Sequence, residues 1–83
     1  MEEQQVVGKV THFFGKASVA AIGLTAPVSV GDTIVISGAT TEFEQVISSM
    51  QIDRQDIEKA EAGQEIGVKV KDKARVGDMV YKK

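Results

Sequence analysis

The sequence predicts an all-β fold, a small closed β-barrel of six or seven strands, and the first reason is a repeated sequence motif. Val30-Gly31-Asp32-Thr33-Ile34 recurs as Val76-Gly77-Asp78-Met79-Val80, and Ala62-Gly63-Gln64 precedes a third apolar run. Glycine permits the positive φ of a tight turn, and the β-branched run after each copy is typical of a strand. Three turn-then-strand units within one small domain indicate a compact barrel.

The composition supports the same class and excludes several others. The chain has 83 residues, 42% of them apolar, with three Phe, one Tyr, no Trp and no Cys. The core is therefore expected to consist mainly of Val, Ile and Ala, which suits strands. Without cysteine, neither a disulfide framework nor a zinc–thiolate site is possible.

One domain is expected over residues 6–83, preceded by a polar tail over residues 1–5. The tail has neither the basic region nor the apolar stretch of a secretion signal. No apolar run approaches the length that spans a bilayer, so we expect no membrane contact and a cytoplasmic location.

Alternating and β-branched runs give the strand candidates, which are residues 6–14, 17–24, 33–37, 43–52, 66–70 and 79–81. A bulge or bend is expected at Gly23. The apolar residues of the run 43–52 change parity, which predicts one long strand with a bulge at 46–49.

Residues 53–62 are the one segment with helical character. Asp53 is a helix-capping residue type, Ile57 and Ala60 fall at helical spacing, and Gly63 would end the helix. The segment predicts a helix of one or two turns.

Charge is divided along the chain although the net charge is only −2. Residues 42–65 have a balance of −5 and residues 66–83 a balance of +4. Such a polarised surface can steer a charged partner.

The leading site candidates lie in the basic part. Alternation places Lys69 and Lys71 on the outward face of the strand 66–70, and Lys73 and Arg75 continue the row. Lys82 and Lys83 are expected to join them if the last strand returns beside its predecessor. Such a row can contact RNA phosphates; alternatively, its lysines protect a strand from edge pairing.

Other candidate residues are weaker. Only one of the consecutive Phe13 and Phe14 can face the core, so Phe14, beside Lys16, is expected to be exposed and to assist RNA binding or cover the barrel end. His12 is the single histidine and lacks partners for a metal site or a triad. The acidic residues of 42–65 are interpreted as a solvated face.

The order of these pieces resembles the β-barrel that follows the nucleotide-binding domain in translation GTPases such as elongation factor Tu. The matching pieces are residues 15–22, 30–36, 46–50, 60–63, 66–68 and 77–80. A similar barrel terminates some collagenase-like peptidases. The resemblance implies a closed barrel of the translation-factor domain 2 type.

Two departures limit what that resemblance implies. The chain has no Gly-x-x-x-x-Gly-Lys-Ser/Thr loop, so GTP or other nucleotide binding is not expected. Ser49 stands before Met50, where elongation factor Tu has a glutamate that helps to hold the terminal adenosine of aminoacyl-tRNA, so that pocket is not carried over.

The leading hypothesis is therefore a non-catalytic module without cofactor or metal that binds RNA or the translation apparatus. The expected partners are tRNA, ribosomal RNA or the ribosome, contacted through Lys69, Lys71, Lys73 and Arg75, with Phe14 and Lys16 as auxiliaries. The alternative is a protein-interaction module that docks onto a larger enzyme such as a collagenase-like peptidase.

Overall fold

The structure is a computed structural model, and it describes residues 5–39, 41–53 and 55–83. Within these ranges the chain forms β-strands and no helix, and therefore no helix that could cross a bilayer. The strands are β1 (Gln5–Phe14), β2 (Val19–Leu24), β3 (Val28–Ser29), β4 (Thr33–Ser37), β5 (Glu42–Val46), β6 (Met50–Ile52), β7 (Gln55–Ile57), β8 (Lys59–Ala60), β9 (Glu65–Lys69) and β10 (Met79–Lys82). Of the expected polar tail, residues 1–4 lie outside the described ranges and Gln5 begins β1.

Antiparallel pairing joins eight of these strands into one sheet. Its order is β5-β4-β10-β1-β2-β9-β6-β7, and β3 and β8 pair separately. The prediction that the last strand returns beside its predecessor is wrong. β10 instead lies between β1 and β4, while β9 pairs with β2 and β6.

The two copies of the Val-Gly-Asp motif and the Ala-Gly-Gln sequence form the same type of turn. We call these three turns the Gly turns, and they comprise residues 29–32, 61–64 and 75–78. In each, the fourth residue donates its N–H to the carbonyl of the first, at 3.0–3.2 Å. The side-chain oxygen of that fourth residue (Asp32, Gln64 or Asp78) accepts the N–H of the first, at 2.8 Å. The third residue is a glycine at φ 90–99°, as a type II turn requires. The predicted turns before β4, β9 and β10 are thus confirmed.

Each Gly turn is also hydrogen-bonded to the backbone of a buried apolar residue elsewhere in the chain. The glycine N–H donates to the carbonyl of that residue, whose own N–H donates to the carbonyl of the turn's fourth residue. The anchoring residues are Ile47, Leu24 and Val10, in the order of the turns, and all these bonds measure 2.8–2.9 Å. The turns therefore bind distant segments together as well as reversing the chain.

The predicted long strand over 43–52 is wrong. Residues 43–46 belong to β5, which pairs with β4, whereas β6 starts at Met50 and pairs with β9 and β7. The parity change marks the point where the chain leaves one end of the sheet and joins the other. Alternation reports which side chains face the core, and it does not report the neighbouring strand.

The predicted helix over 53–62 is also wrong. β6 and β7 form a hairpin in which Ile52 pairs with Gln55, and Asp53 lies in its turn at φ 51°. Arg54 lies outside the described residues. Gln51 donates its side-chain N–H to Asp56 across the hairpin, and β8 then pairs with β3. Pairing with distant strands overrides the weak local preference for helix.

The core is built from the expected residue types. It contains Val, Ile, Ala, Leu and one Met, each at most 5% exposed. In β9 the alternation holds, with Ile66 and Val68 buried and Lys69 exposed. The irregularities lie in β1, between Val6 and Gly8 and between Val10 and His12, whereas Gly23 keeps regular register with both neighbouring strands.

The sheet is strongly curled. Six strand spacings separate β5 from β6, which in a flat sheet is about 29 Å. The chain between Val46 and Met50 reaches at most about 14 Å. The two ends must therefore approach one another, although no backbone ladder among the described residues closes the sheet into a barrel.

Candidate interaction surface

Residues 69–75, which we call the basic segment, leave β9 and cross one end of the molecule. Val70 and Ala74 are 3% exposed and hold the segment against the core, and the N–H of Val70 donates to the carbonyl of Ser18 at 2.8 Å. The residues that alternate with them are exposed, namely Lys69, Lys71, Lys73 and Arg75. The predicted outward row is therefore present, although only Lys69 belongs to a strand.

The β1–β2 hairpin tip lies beside the basic segment. Phe13 packs against the core, while Phe14 is 51% exposed and its ring lies tilted against that of His12, with the ring centroids 4.5 Å apart. A shallow cleft of about 210 Å³ lies between the tip and the segment; its lining is Phe13, Gly15, Ser18, Lys71, Asp72 and Lys73. The structure thus brings Phe13 and Gly15 of the tip next to the predicted basic row, whereas the predicted auxiliaries Phe14 and Lys16 do not line this cleft.

On its other side the basic segment faces β5 across the open end of the sheet. The side-chain amide of Gln45 joins the two: its N–H donates to the carbonyl of Lys69, and its carbonyl oxygen accepts the N–H of Lys71, both at 2.8 Å. The backbone pairing of β6 with β9 extends only as far as Val68. Gln45 therefore continues the connection beyond the point where backbone pairing stops.

Two further clefts lie along this junction. One, of about 250 Å³, is lined by Thr41, Glu42, Phe43, Asp72, Lys73 and Arg75. The other, of about 340 Å³, is lined by Gln45, Val46, Ser48, Lys69, Val70 and Lys71. Val46 is 55% exposed there, so the second cleft combines an apolar side chain with two lysines.

The four cationic side chains of the basic segment have no ion pair with any described residue. Lys82 and Lys83 differ, since they pair with Asp32 at 3.4 Å and Glu44 at 2.9 Å. Their predicted place in the row is wrong, because β10 lies between β1 and β4 and not beside β9.

The remaining candidates form no site in the described part of the chain. His12 is exposed on β1, and Ser49 is exposed between β5 and β6. Within residues 5–39, 41–53 and 55–83 no group of three His, Asp or Glu is arranged to hold a metal ion.

Sequence reasoning missed Gln45, Phe43 and Val46 as members of this surface. The signal that could have found them is the parity change after Val46, which exposes an apolar side chain at the end of a strand. The parity change occurs there because β5 and β6 lie near opposite ends of the sheet.

The chain is similar to segments of larger proteins. It is 46% identical over 76 residues to an uncharacterized protease of Methanocaldococcus jannaschii, covering 90% of this chain. It is 34% identical over 82 residues to a collagenase of Porphyromonas gingivalis and 36% identical over 78 residues to a collagenase of that organism's strain W83, covering 96% and 92% of this chain. The matched segments are 19–23% of those proteins, so the chain spans about a fifth of the length of these curated relatives. No protein-family model matches the chain.

Solved structures show the same fold. The C-terminal domain of a candidate U32 peptidase from Geobacillus thermoleovorans superposes with a TM-score of 0.89 at 21% identity, covering 95% of this chain and 92% of that one. Its selenomethionine variant gives a TM-score of 0.88. The comparisons support the collagenase-like part of the resemblance drawn from the sequence and give no support to the elongation factor Tu part.

Proposed function

We propose that this domain is a non-catalytic accessory module that docks onto the body of a collagenase-like peptidase. The observation that supports this most is coverage: relatives match 90–96% of this chain, yet the match is about a fifth of each relative. The remaining four fifths of such a protein supply the surface against which the domain packs. Translation-factor partners have no comparable support.

A graft tests docking. The matched segment of the Methanocaldococcus jannaschii protein is replaced by this chain, and calorimetry compares the unfolding temperature of the domain in the graft with that of the 83-residue chain alone. A domain that packs against the body is stabilised by that contact, so its unfolding temperature should rise. Grafting tests the contact at the high effective concentration that linkage provides.

The matched control is the same chain joined through a flexible linker to an unrelated protein of similar size. Its unfolding temperature should equal that of the isolated chain. If the graft on the peptidase body also unfolds at that temperature, the domain does not dock and the proposal fails.

RNA binding through the basic segment is the second candidate, favoured by four exposed cations that have no ion pair with any described residue. Replacing Lys69, Lys71 and Lys73 by Gln should weaken tRNA binding. It should also reduce the slope of the logarithm of the binding constant against the logarithm of the salt concentration by roughly 0.7–0.9 per lost contact. Filter binding across a salt series measures both. No binding of tRNA at low salt would remove this candidate.

We also propose that the sheet behaves as a closed barrel, with Gln45 completing the junction between β5 and the basic segment. Gln45→Ala removes two hydrogen bonds and should lower the free energy of unfolding by about 1–2 kcal/mol. Hydrogen exchange at the Lys71 amide should accelerate as well. Gln51→Ala is the matched control, because its amide bonds only within the β6–β7 hairpin, and it should leave Lys71 protected. Unchanged Lys71 protection in Gln45→Ala would contradict closure by Gln45.

A further inference from the structure

We infer that the docking face of the domain is the basic segment together with the cleft beside Val46, and that its partner is an acidic protein surface with an apolar side chain at its centre. This inference rests on the proposed function, because it assigns the part of the domain that meets the larger protein. It names the chemistry of the partner surface: carboxylates around an apolar anchor.

Charge provides the first argument. Lys69, Lys71, Lys73 and Arg75 are exposed within seven residues, and no described carboxylate forms an ion pair with them. Asp72, the acidic residue in the segment, accepts the N–H of Lys73 and so faces the backbone. With four cations against Asp72 and Glu42, this surface is mainly positive, so it attracts an acidic partner and disfavours a basic one.

The shape of the cleft beside Val46 provides the second argument. Val46 is 55% exposed at the end of β5, and Val70 and Ser48 share the lining with it. Lys69 and Lys71 line the same cleft. Contacts that bind tightly usually place an apolar side chain in such a cleft and surround it with polar groups. An apolar side chain flanked by Asp or Glu fits both parts.

A rigid framework provides the third argument. Gln45 holds the backbone of Lys69 and Lys71, and Ser18 holds that of Val70. The lysines therefore extend from a fixed backbone, which lowers the ordering cost of binding.

The surface suits a protein better than a nucleic acid. Binding of single-stranded nucleic acid uses aromatic side chains on which bases stack. Among the described residues Phe14 is the exposed large aromatic, and its ring already lies against His12 in a tilted contact. Phe13 and Phe43 are half-buried and line their clefts.

The test uses the graft on the Methanocaldococcus jannaschii body and charge-reversed variants of the chain. The double variant Lys71→Glu/Lys73→Glu should lose most of the rise in unfolding temperature that docking produces, and added salt should diminish that rise in the unmodified graft. The matched control is Lys9→Glu/Lys59→Glu, which reverses two exposed lysines elsewhere and should retain the rise. Each variant is compared with the same variant as a free chain, so that changes in intrinsic stability cancel.

A second pair of variants examines the cleft. Val46→Asp should reduce the rise, whereas Val30→Asp, at an exposed valine of the first Gly turn, should not. If the unmodified graft shows no rise, the proposed function fails. If the rise exists and survives both Lys71→Glu/Lys73→Glu and Val46→Asp, docking occurs through another face and this inference is overturned. If the lysine variants lose tRNA binding while docking is unchanged, the basic segment is an RNA site and the inference is equally overturned.

Discussion

The first and third Gly turns, residues 29–32 and 75–78, have the same sequence motif and the same hydrogen bonds but different surroundings. In both, an aspartate accepts the N–H of the first turn residue at 2.8 Å. Asp32 is half-buried and forms an ion pair with Lys82. Asp78 is 5% exposed and lies against Gly38. The local sequence motif determines the turn, and the tertiary environment determines how much the turn contributes to stability.

The largest difference between the two turns is expected when the aspartates are removed. Asp78→Ala should lower the free energy of unfolding by about 2–3 kcal/mol, because a charged acceptor is lost from a buried site. Asp32→Ala should cost about 1 kcal/mol, since water can replace the carboxylate. Urea denaturation measures both. Equal costs would show that burial does not distinguish the turns.

Asp78→Asn separates the effect of charge from that of the hydrogen bond, because the amide keeps an oxygen that can accept the N–H of Arg75. It should cost less than Asp78→Ala. A cost as large as that of alanine would mean that charge, and not the hydrogen bond, is the important term.

The close packing of Asp78 gives the next prediction. A Cβ at Gly38 would collide with the Asp78 carboxylate. Gly38→Ala should therefore lower the free energy of unfolding by about 1–3 kcal/mol through overpacking. The control is the double variant Gly38→Ala/Asp78→Ala, in which the collision is gone. If the two costs simply add, the contact between these residues does not cause the loss.

Alanine in place of the turn glycines should have smaller and equal effects. Gly31, Gly63 and Gly77 have φ values of 90–99°, and a Cβ at each would meet nothing within 4 Å. The cost is then conformational, about 1–2 kcal/mol at every turn. Thermal unfolding of the three single variants checks this. A markedly higher cost at one turn would indicate strain that its surroundings impose.

The smallest effect is expected at the ion pair that distinguishes the first turn. Lys82→Ala removes the partner of Asp32, and such partly exposed pairs contribute about 0–1 kcal/mol. High salt should remove most of the difference between the variant and the unmodified chain. A loss comparable with that of Asp78→Ala would contradict the view that burial separates the two turns.

The all-β class, the three Gly turns and the strands that follow them were predictable from the amino-acid sequence alone. These features are local, because a glycine at positive φ and an Asp or Gln side chain one position later specify the turn within four residues. Alternation likewise predicted that Ile66 and Val68 are buried and that Lys69 and Lys71 are exposed, since adjacent side chains of a strand point to opposite faces.

Tertiary pairing set which strands are neighbours. The run 43–52 divides between two ends of the sheet, residues 55–57 and 59–60 form strands in place of a helix, and β10 lies between β1 and β4. Tertiary pairing also placed Gln45 against the basic segment and left Val46 exposed in the adjoining cleft. Local sequence could not reveal these features, because long-range pairing brings together residues whose preferences are weak when each segment is taken alone.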